Sequence, residues 1–334
     1  MQKNYLGDVE ITSVYFGGGT PSLLTIKELE QIFSTIQNLY RLSPTAEITL
    51  EANPDDLSVA LLHDLRHYTP VNRLSIGIQS FHEADLRWMN RAHNATHAYA
   101  CLEAALATGF DNLTIDLIYG APTTSDQQWQ RNLEVAFEFG IPHLSCYCLT
   151  VEEGTALGAF VRKGQSAPVD EEQAARQMEY LMDATAGQDY EHYEISNFAR
   201  PGHYARHNSS YWRGEPYLGI GPSAHSFNGH SRQSNIAKNA LYINSIATEQ
   251  VPFELENLTP VQRYNEYVLT SLRTVWGTEP TRLDPPQAEY FEQAVRPFLT
   301  AGTVERTGSA YRLTRSGKLL ADRITLDLFL DASE

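Results

Sequence analysis

Residues able to bind a ligand recur at five places in this 334-residue sequence, each time at the end of a short apolar run. They are Gly17-Gly18-Gly19-Thr20-Pro21, Glu51-Ala52-Asn53-Pro54, Gly77-Ile78-Gln79-Ser80, Asp116 through Pro122, and Cys148-Leu149-Thr150. The three glycines remove side chains where a strand ends, so a ligand can approach bare backbone. Gly19-Thr20-Pro21 also leaves amides ahead of a helical pattern that starts near Ile26, a seat for a carboxylate or phosphate. Glu51 and Asp116 supply carboxylates, and Gln79 an amide. Taken singly, each has an ordinary reading as a turn carboxylate, an interior amide or a tight turn, and Asn53-Pro54 makes a turn by itself. Five such endings in succession point to one shared ligand site.

Elements that alternate between strand and helix must position these residues. Ile11–Phe16, Ala46–Glu51, Arg73–Ile78, Asn112–Ile118 and His143–Leu149 read as strands, short and bounded by glycine, proline or polar residues. Helical patterns follow four of them, at Ile26–Tyr40, Leu57–His67, Thr96–Gly109 and Asp126–Gly140. In the third, Ala98, Cys101, Leu102, Ala105 and Leu106 share a face and Gly109 marks the stop. Thr25-Ile26-Lys27-Glu28 reads as a capping box. Such alternation predicts an α/β fold with a parallel sheet, open or closed into a barrel, and disfavours antiparallel pairing. Ligands bind such sheets at the C-terminal ends of the strands, where the polar residues fall.

Tyr15–Leu24, Glu51–Pro54, Gly77–Phe81, Asp116–Pro122, Glu194–Pro201, His207–Trp212 and Tyr217–Gly221 together resemble the radical S-adenosylmethionine family. Within it, the sequence is most similar to the branch of oxygen-independent coproporphyrinogen III oxidases and heme chaperones, and there to the chaperones. The resemblance spans nearly the whole chain in order. It implies a partial (β/α)6-type barrel lacking its first unit, with S-adenosylmethionine at the open edge. Gly17, Gly18 and Gly19 match the segment whose backbone bonds the methionine amino group, with Thr20 beside it. Glu51 and Gln79 match polar contacts to the cofactor, Arg91 the partner of the methionine carboxylate, and Asp116 the acceptor of the ribose hydroxyls. A guanidinium suits a carboxylate because it can bond it in two places. Without the resemblance, Arg91 reads as a solvated charge beside a helix.

The family also implies a [4Fe-4S] cluster held by Cys-x3-Cys-x2-Cys upstream of the glycine run. Sixteen residues precede Gly17 and none is cysteine. Cys146 and Cys148 have the wrong spacing and share one face of a strand, and Cys101 reads as a helix core residue. Met1–Gly7 matches the end of the first barrel helix of relatives. The expectation is that the first strand, the cluster loop and most of that helix are missing, through an internal start or a loss of the cluster. As written, the chain is expected to be inactive in radical chemistry and to present an uncovered barrel edge.

Farther on, His203 and His207 lie four apart, a spacing that can bind a metal or heme iron on a helix, although His203 beside Pro201-Gly202 reads as a turn residue. His207 with Asn208, Tyr211 and Trp212 matches the family's HNxxYW motif and is the candidate heme contact. Gly219-Ile220-Gly221 is a glycine-rich loop without the context of a dinucleotide site. Arg263–Leu272, Gln287–Leu299 and Thr314–Leu328 read as helices, and Val304–Glu305 with Ala310–Leu313 as a hairpin. The predicted division is a truncated barrel over 1–185, a linking region over 186–256 and a winged-helix-like domain over 257–334. That last segment carries ten acids and nine bases, so it declares no DNA-binding face. A net charge of −16 likewise disfavours nucleic acid as a partner. Hydrophobic residues make up 42%, no apolar run approaches a membrane span, no secretory signal opens the chain, and three cysteines give no disulfide framework. The expected setting is cytoplasmic. Heme is the expected partner, to be passed to acceptor proteins, and the alternative is a radical enzyme of porphyrin metabolism.

Overall fold

All five expected strands form: β1 (Glu10–Phe16), β2 (Arg41–Ala52), β3 (Arg73–Gln79), β4 (Leu113–Tyr119) and β5 (His143–Cys148). Between them run α1 (Ile26–Leu39), α2 (Val59–Tyr68), α3 (Glu83–Trp88), α4 (Ala95–Ala107) and α5 (Asp126–Glu138). The expected capping box opens α1: Glu28 N donates to Thr25 Oγ1 at 3.3 Å and Thr25 N to Glu28 Oε2 at 2.8 Å. After β5 come α6 (Ala156–Arg162), α7 (Glu171–Ala186), β6 (Glu191–Glu194) and β7 (Asn197–Ala199). The seven strands make one sheet in the order β1-β2-β3-β4-β5-β7-β6. Pairs from β2 to β5 are parallel, as the long helical connections require. Beyond the five units the sheet continues with antiparallel pairing, β7 lying between β5 and β6. Only Ile195 and Ser196 separate β6 from β7, a connection short enough for a hairpin.

The computed structural model describes residues 1–331. They divide into a sheet unit, Thr12–Ile36 with Pro44–Ala205, and a second unit made of Met1–Ile11, Gln37–Ser43 and the chain from Arg206 on. In the sheet unit one face of the strands is apolar. Ile48, Leu50, Leu74, Ile76, Ile78, Leu113, Ile115, Leu117, Leu144 and Cys146 are all buried there. Cys101 is buried on α4, as expected of a core residue. Trp129 of α5, fully buried, donates from its indole to Gln177 O of α7 at 2.9 Å and ties the two helices together.

The second unit contains α8 (Arg206–Arg213), β8 (His225–Phe227), β9 (Ser231–Asn235), α9 (Asn239–Ala247), β10 (Phe253–Asn257) and α10 (Pro260–Leu272). There follow α11 (Pro285–Ala294), α12 (Arg296–Thr300), β11 (Val304–Thr307), β12 (Ala310–Leu313), α13 (Arg315–Lys318) and α14 (Ala321–Asp327). The hairpin of β11 and β12 forms as expected. The single helix expected over Gln287–Leu299 is instead α11 and α12. Pro297, in the first turn of α12, has no N–H to continue the ladder. The helix expected over Thr314–Leu328 also splits, because Leu320, at φ −118° and ψ 19°, leaves the helical region. Met1–Gly7 is not helical but two turns, Tyr5 N to Gln2 O and Gly7 N to Asn4 O. In the glycine-rich loop, Gly219 fits because a Cβ there would stand 2.1 Å from His225 O.

Candidate functional site

Most of the predicted residues converge at the C-terminal ends of β1 to β4. Glu51 is the centre of one cluster. Its Oε1 accepts from Tyr15 OH at 2.6 Å and its Oε2 from Gly18 N at 3.1 Å. Gly17 makes this pairing possible, since a Cβ there would lie 2.5 Å from the Tyr15 ring and 3.1 Å from Glu51 Oε1. Gly18 and Gly19 both have positive φ, 74° and 59°, which their lack of a Cβ permits. Gly18 N is thus already used, and the start of α1 is closed by its own capping box. One amide of the run already holds an anion, the Glu51 carboxylate. Thr20 closes the run; its carbonyl accepts from Leu23 N at 3.1 Å and its side chain caps nothing.

A second cluster surrounds Gly77. A Cβ at Gly77 would stand 3.0 Å from Gln79 Nε2 and 3.3 Å from Arg91 Nη2, so both side chains lie over bare backbone. Arg91 Nη2 donates to Asn53 Oδ1 at 2.7 Å and to Gly77 O at 3.4 Å. Its Nε is buried and has no hydrogen-bond partner. Burying a donor without a partner is costly, so a group that supplies an acceptor gains binding there. Gln79 ends β3 in the left-handed region at φ 65°, a conformation disfavoured for a residue with a side chain. The register of β3 on β4 shifts at the same place.

Asp116, midway along β4, links the clusters electrostatically. Burial pushes its carboxyl up to about 7 and the Glu51 charge pushes the same way, against Arg73, a hydrogen bond from Ser145 and Arg91. The same burial, with Glu51 beside it, raises the Tyr15 phenol. The edge therefore offers an unpaired guanidinium N–H, a carboxyl that titrates near neutrality and a strand end without side chains. These suit a ligand carrying a carboxylate, an amine and hydroxyls.

The polar face of the same strands holds a set of residues that the strand-end reading missed. Arg73, at the start of β3, lies 3.9 Å from Glu47 Oε2 and bonds Thr114 of β4. Thr114 Oγ1 pairs with His143 Nδ1 at 3.0 Å, and His143 Nε2 with Tyr193 OH at 2.7 Å. All five side chains are buried. Burial and Arg73 hold His143 well below its usual range, so it is neutral. The signal was present in Glu47-x-Thr49-x-Glu51, Arg73-x-Ser75-x-Gly77 and His143-x-Ser145: strict alternation in parallel strands, which are usually apolar on both faces.

His207 belongs to the second unit. It sits on α8, where Nε2 is hydrogen-bonded to Tyr211 OH at 2.8 Å, one turn on. His203 precedes α8, whose first residue is Arg206, so the two histidines share no helical turn. Cys146 is buried and Cys148 exposed. Among the described residues no three His, Cys, Asp or Glu side chains gather as a metal site, so they assemble no ligand set for an iron–sulfur cluster.

A sheet of parallel β/α units with its polar residues at one edge is the architecture of the radical S-adenosylmethionine proteins. The family model described as the Radical SAM superfamily matches residues 3–136. The fold agrees: the Escherichia coli coproporphyrinogen III oxidase HemN, a radical SAM enzyme, superimposes with a TM-score of 0.80 at 22% identity, over 96% of this chain and 78% of that one. By sequence the chain is 34% identical to the heme chaperone HemW of Mycobacterium tuberculosis, over 95% of this chain and 80% of that protein. It is 30% identical to the heme chaperone HemW of Bacillus subtilis, over 95% and 85%. The chain belongs to the HemW family of radical SAM proteins. That family implies S-adenosylmethionine and a [4Fe-4S] cluster. No helix among the described residues is long and apolar enough to cross a membrane.

Proposed function

We propose that this protein binds heme and delivers it to acceptor proteins in the cytoplasm, and that its sheet edge binds S-adenosylmethionine. The observation that carries the cofactor reading is the buried Nε of Arg91, unpartnered while its neighbour Nη2 is anchored to Asn53 and Gly77. A methionine carboxylate would satisfy that donor. Backbone carbonyls of Gly17–Gly19 would take the amino group, Glu51 and Gln79 would add polar contacts, and Asp116 would accept the ribose hydroxyls when ionised. The cofactor, with a cluster, would supply one-electron chemistry. The described residues supply no cluster ligands, so no step is assigned to it. Support for heme comes from the relatives, whose name is heme chaperone, and from His207 in the HNxxYW motif. For His207 to reach iron through Nε2, the Tyr211 hydroxyl must first release it.

The fold shared with an oxidase favours a second reading, decarboxylation of coproporphyrinogen III. Two assays separate them. Titration with hemin, followed at the Soret band, is expected to saturate at one equivalent, and incubation with coproporphyrinogen is expected to yield no decarboxylated product. Product without hemin saturation would establish the enzyme reading and overturn the chaperone.

A further inference from the structure

Within the second unit lies a cavity of about 590 Å³ walled by α8, β9, α10 and the segment 282–287. Its size falls in the range of about 300–1,000 Å³ common for small-molecule sites. Trp212, Tyr217 and Tyr267 give it aromatic walls, and four arginines line it in a chain whose net charge is −16. One of these, Arg232, is neutralised by a two-pronged bond to Glu266, 2.9 Å on each arm. Arg263 and Arg282 form no ion pair among the described residues. Arg263 donates from Nη1 to Leu258 O at 2.8 Å; Arg282 donates to Arg213 O at 3.2 Å and lies over the Tyr267 ring at 4.9 Å. Backbone carbonyls orient both guanidiniums but leave their charge unmatched. Trp212 adds a buried indole N–H with no partner. Glu215 and Asp284 also line the space, so an anionic ligand must set its charges at the arginines and keep its neutral surface elsewhere.

A planar aromatic ligand with two carboxylates meets those requirements. We propose that this cavity seats the propionate-bearing edge of a tetrapyrrole, with Arg263 and Arg282 each taking a carboxylate and Trp212 supplying a further donor. The proposal rests on the heme reading above. It adds a location and a reason for it, for α8 carries His207 one turn before Tyr211 and Trp212.

The test titrates the full chain with hemin and with hemin dimethyl ester, in the wild type and in Arg263→Gln and Arg282→Gln. The ester is expected to bind at least roughly tenfold more weakly than hemin, the scale of losing charge-assisted bonds. Each variant is expected to weaken hemin binding roughly tenfold and to leave the ester unchanged. Equal affinity of the wild type for hemin and ester overturns the cavity proposal while heme binding stands. Binding of neither compound overturns the heme reading and the proposal with it. Where a variant melts early by circular dichroism, the ester comparison in the wild type decides alone.

Discussion

The two ends of the polar sheet face use the same alternation for opposite purposes. Near the starts of β3, β4 and β5, Arg73, Thr114 and His143 link Glu47 to Tyr193 in a buried chain of contacts. At the finishes of β2 and β3, Arg91 keeps an unpartnered N–H, Gln79 sits in the left-handed region and, farther along the face, Asp116 titrates near neutrality. Arg73 Nε is also buried without a hydrogen bond, but the Glu47 carboxylate stands 3.9 Å from it, and a network whose charges are paired rigidifies a core. One whose guanidinium has no acid in ion-pair range among the described residues, beside a residue in a costly conformation, is poised to receive something. The first end reads as architecture and the second as a site.

The largest expected effect tests the closed end. Replacing Arg73 by Met removes the cation beside the buried Glu47 carboxylate and is expected to cost about 3–5 kcal/mol of stability in urea unfolding. A loss under about 1 kcal/mol would show that the closed end is not structural. At the open end the signs reverse. Arg91→Ala is expected to weaken S-adenosylmethionine binding by calorimetry roughly 10- to 100-fold while changing stability by less than about 1 kcal/mol. If it destabilises as much as the Arg73 change, the contrast between the ends collapses.

Asp116 gives a pH test that distinguishes the ends. Its folded pKa is raised from 3.8 to about 7, so the ligand-free protein favours the protonated form and loses stability as pH rises between those values. For this partly buried group the loss is about 1–2 kcal/mol, which Asp116→Asn is expected to abolish. Cofactor affinity moves oppositely, rising as the carboxylate forms between pH 6 and 8 by about threefold or more. A flat profile in both measurements would remove Asp116 from the site. The smallest effect belongs to Gly77→Ala. Its methyl presses on Gln79 and Arg91, where space is 3.0 Å and 3.3 Å. Roughly threefold weaker cofactor binding with unchanged melting is expected; unchanged binding would mean that the two side chains yield freely.

Much of this was legible along the chain. The five strands, the capping box at Thr25 and the cluster of strand ends follow from local pattern and turn chemistry. The Tyr15–Glu51 pair spans 36 positions and the His143–Tyr193 pair 50, so local pattern carries no trace of either. The alternation around Glu47 and Arg73 is visible in the sequence, but the contacts it makes span 26 or more positions and leave no local trace. The strand β7 is three residues long, too short to display a period. The break at Pro297 was readable; the one at Leu320 depends on a backbone conformation that composition does not encode.

The pair of thiols on β5 has a practical consequence. Of the three cysteines only Cys148 is exposed. Burial raises all three thiols, pushing Cys101 to about 12 and Cys146 well above its ordinary range. A maleimide dye applied to the native protein should therefore mark one atom per chain, at the last residue of β5. That makes the wild-type sequence its own single-label reporter, without any engineered cysteine.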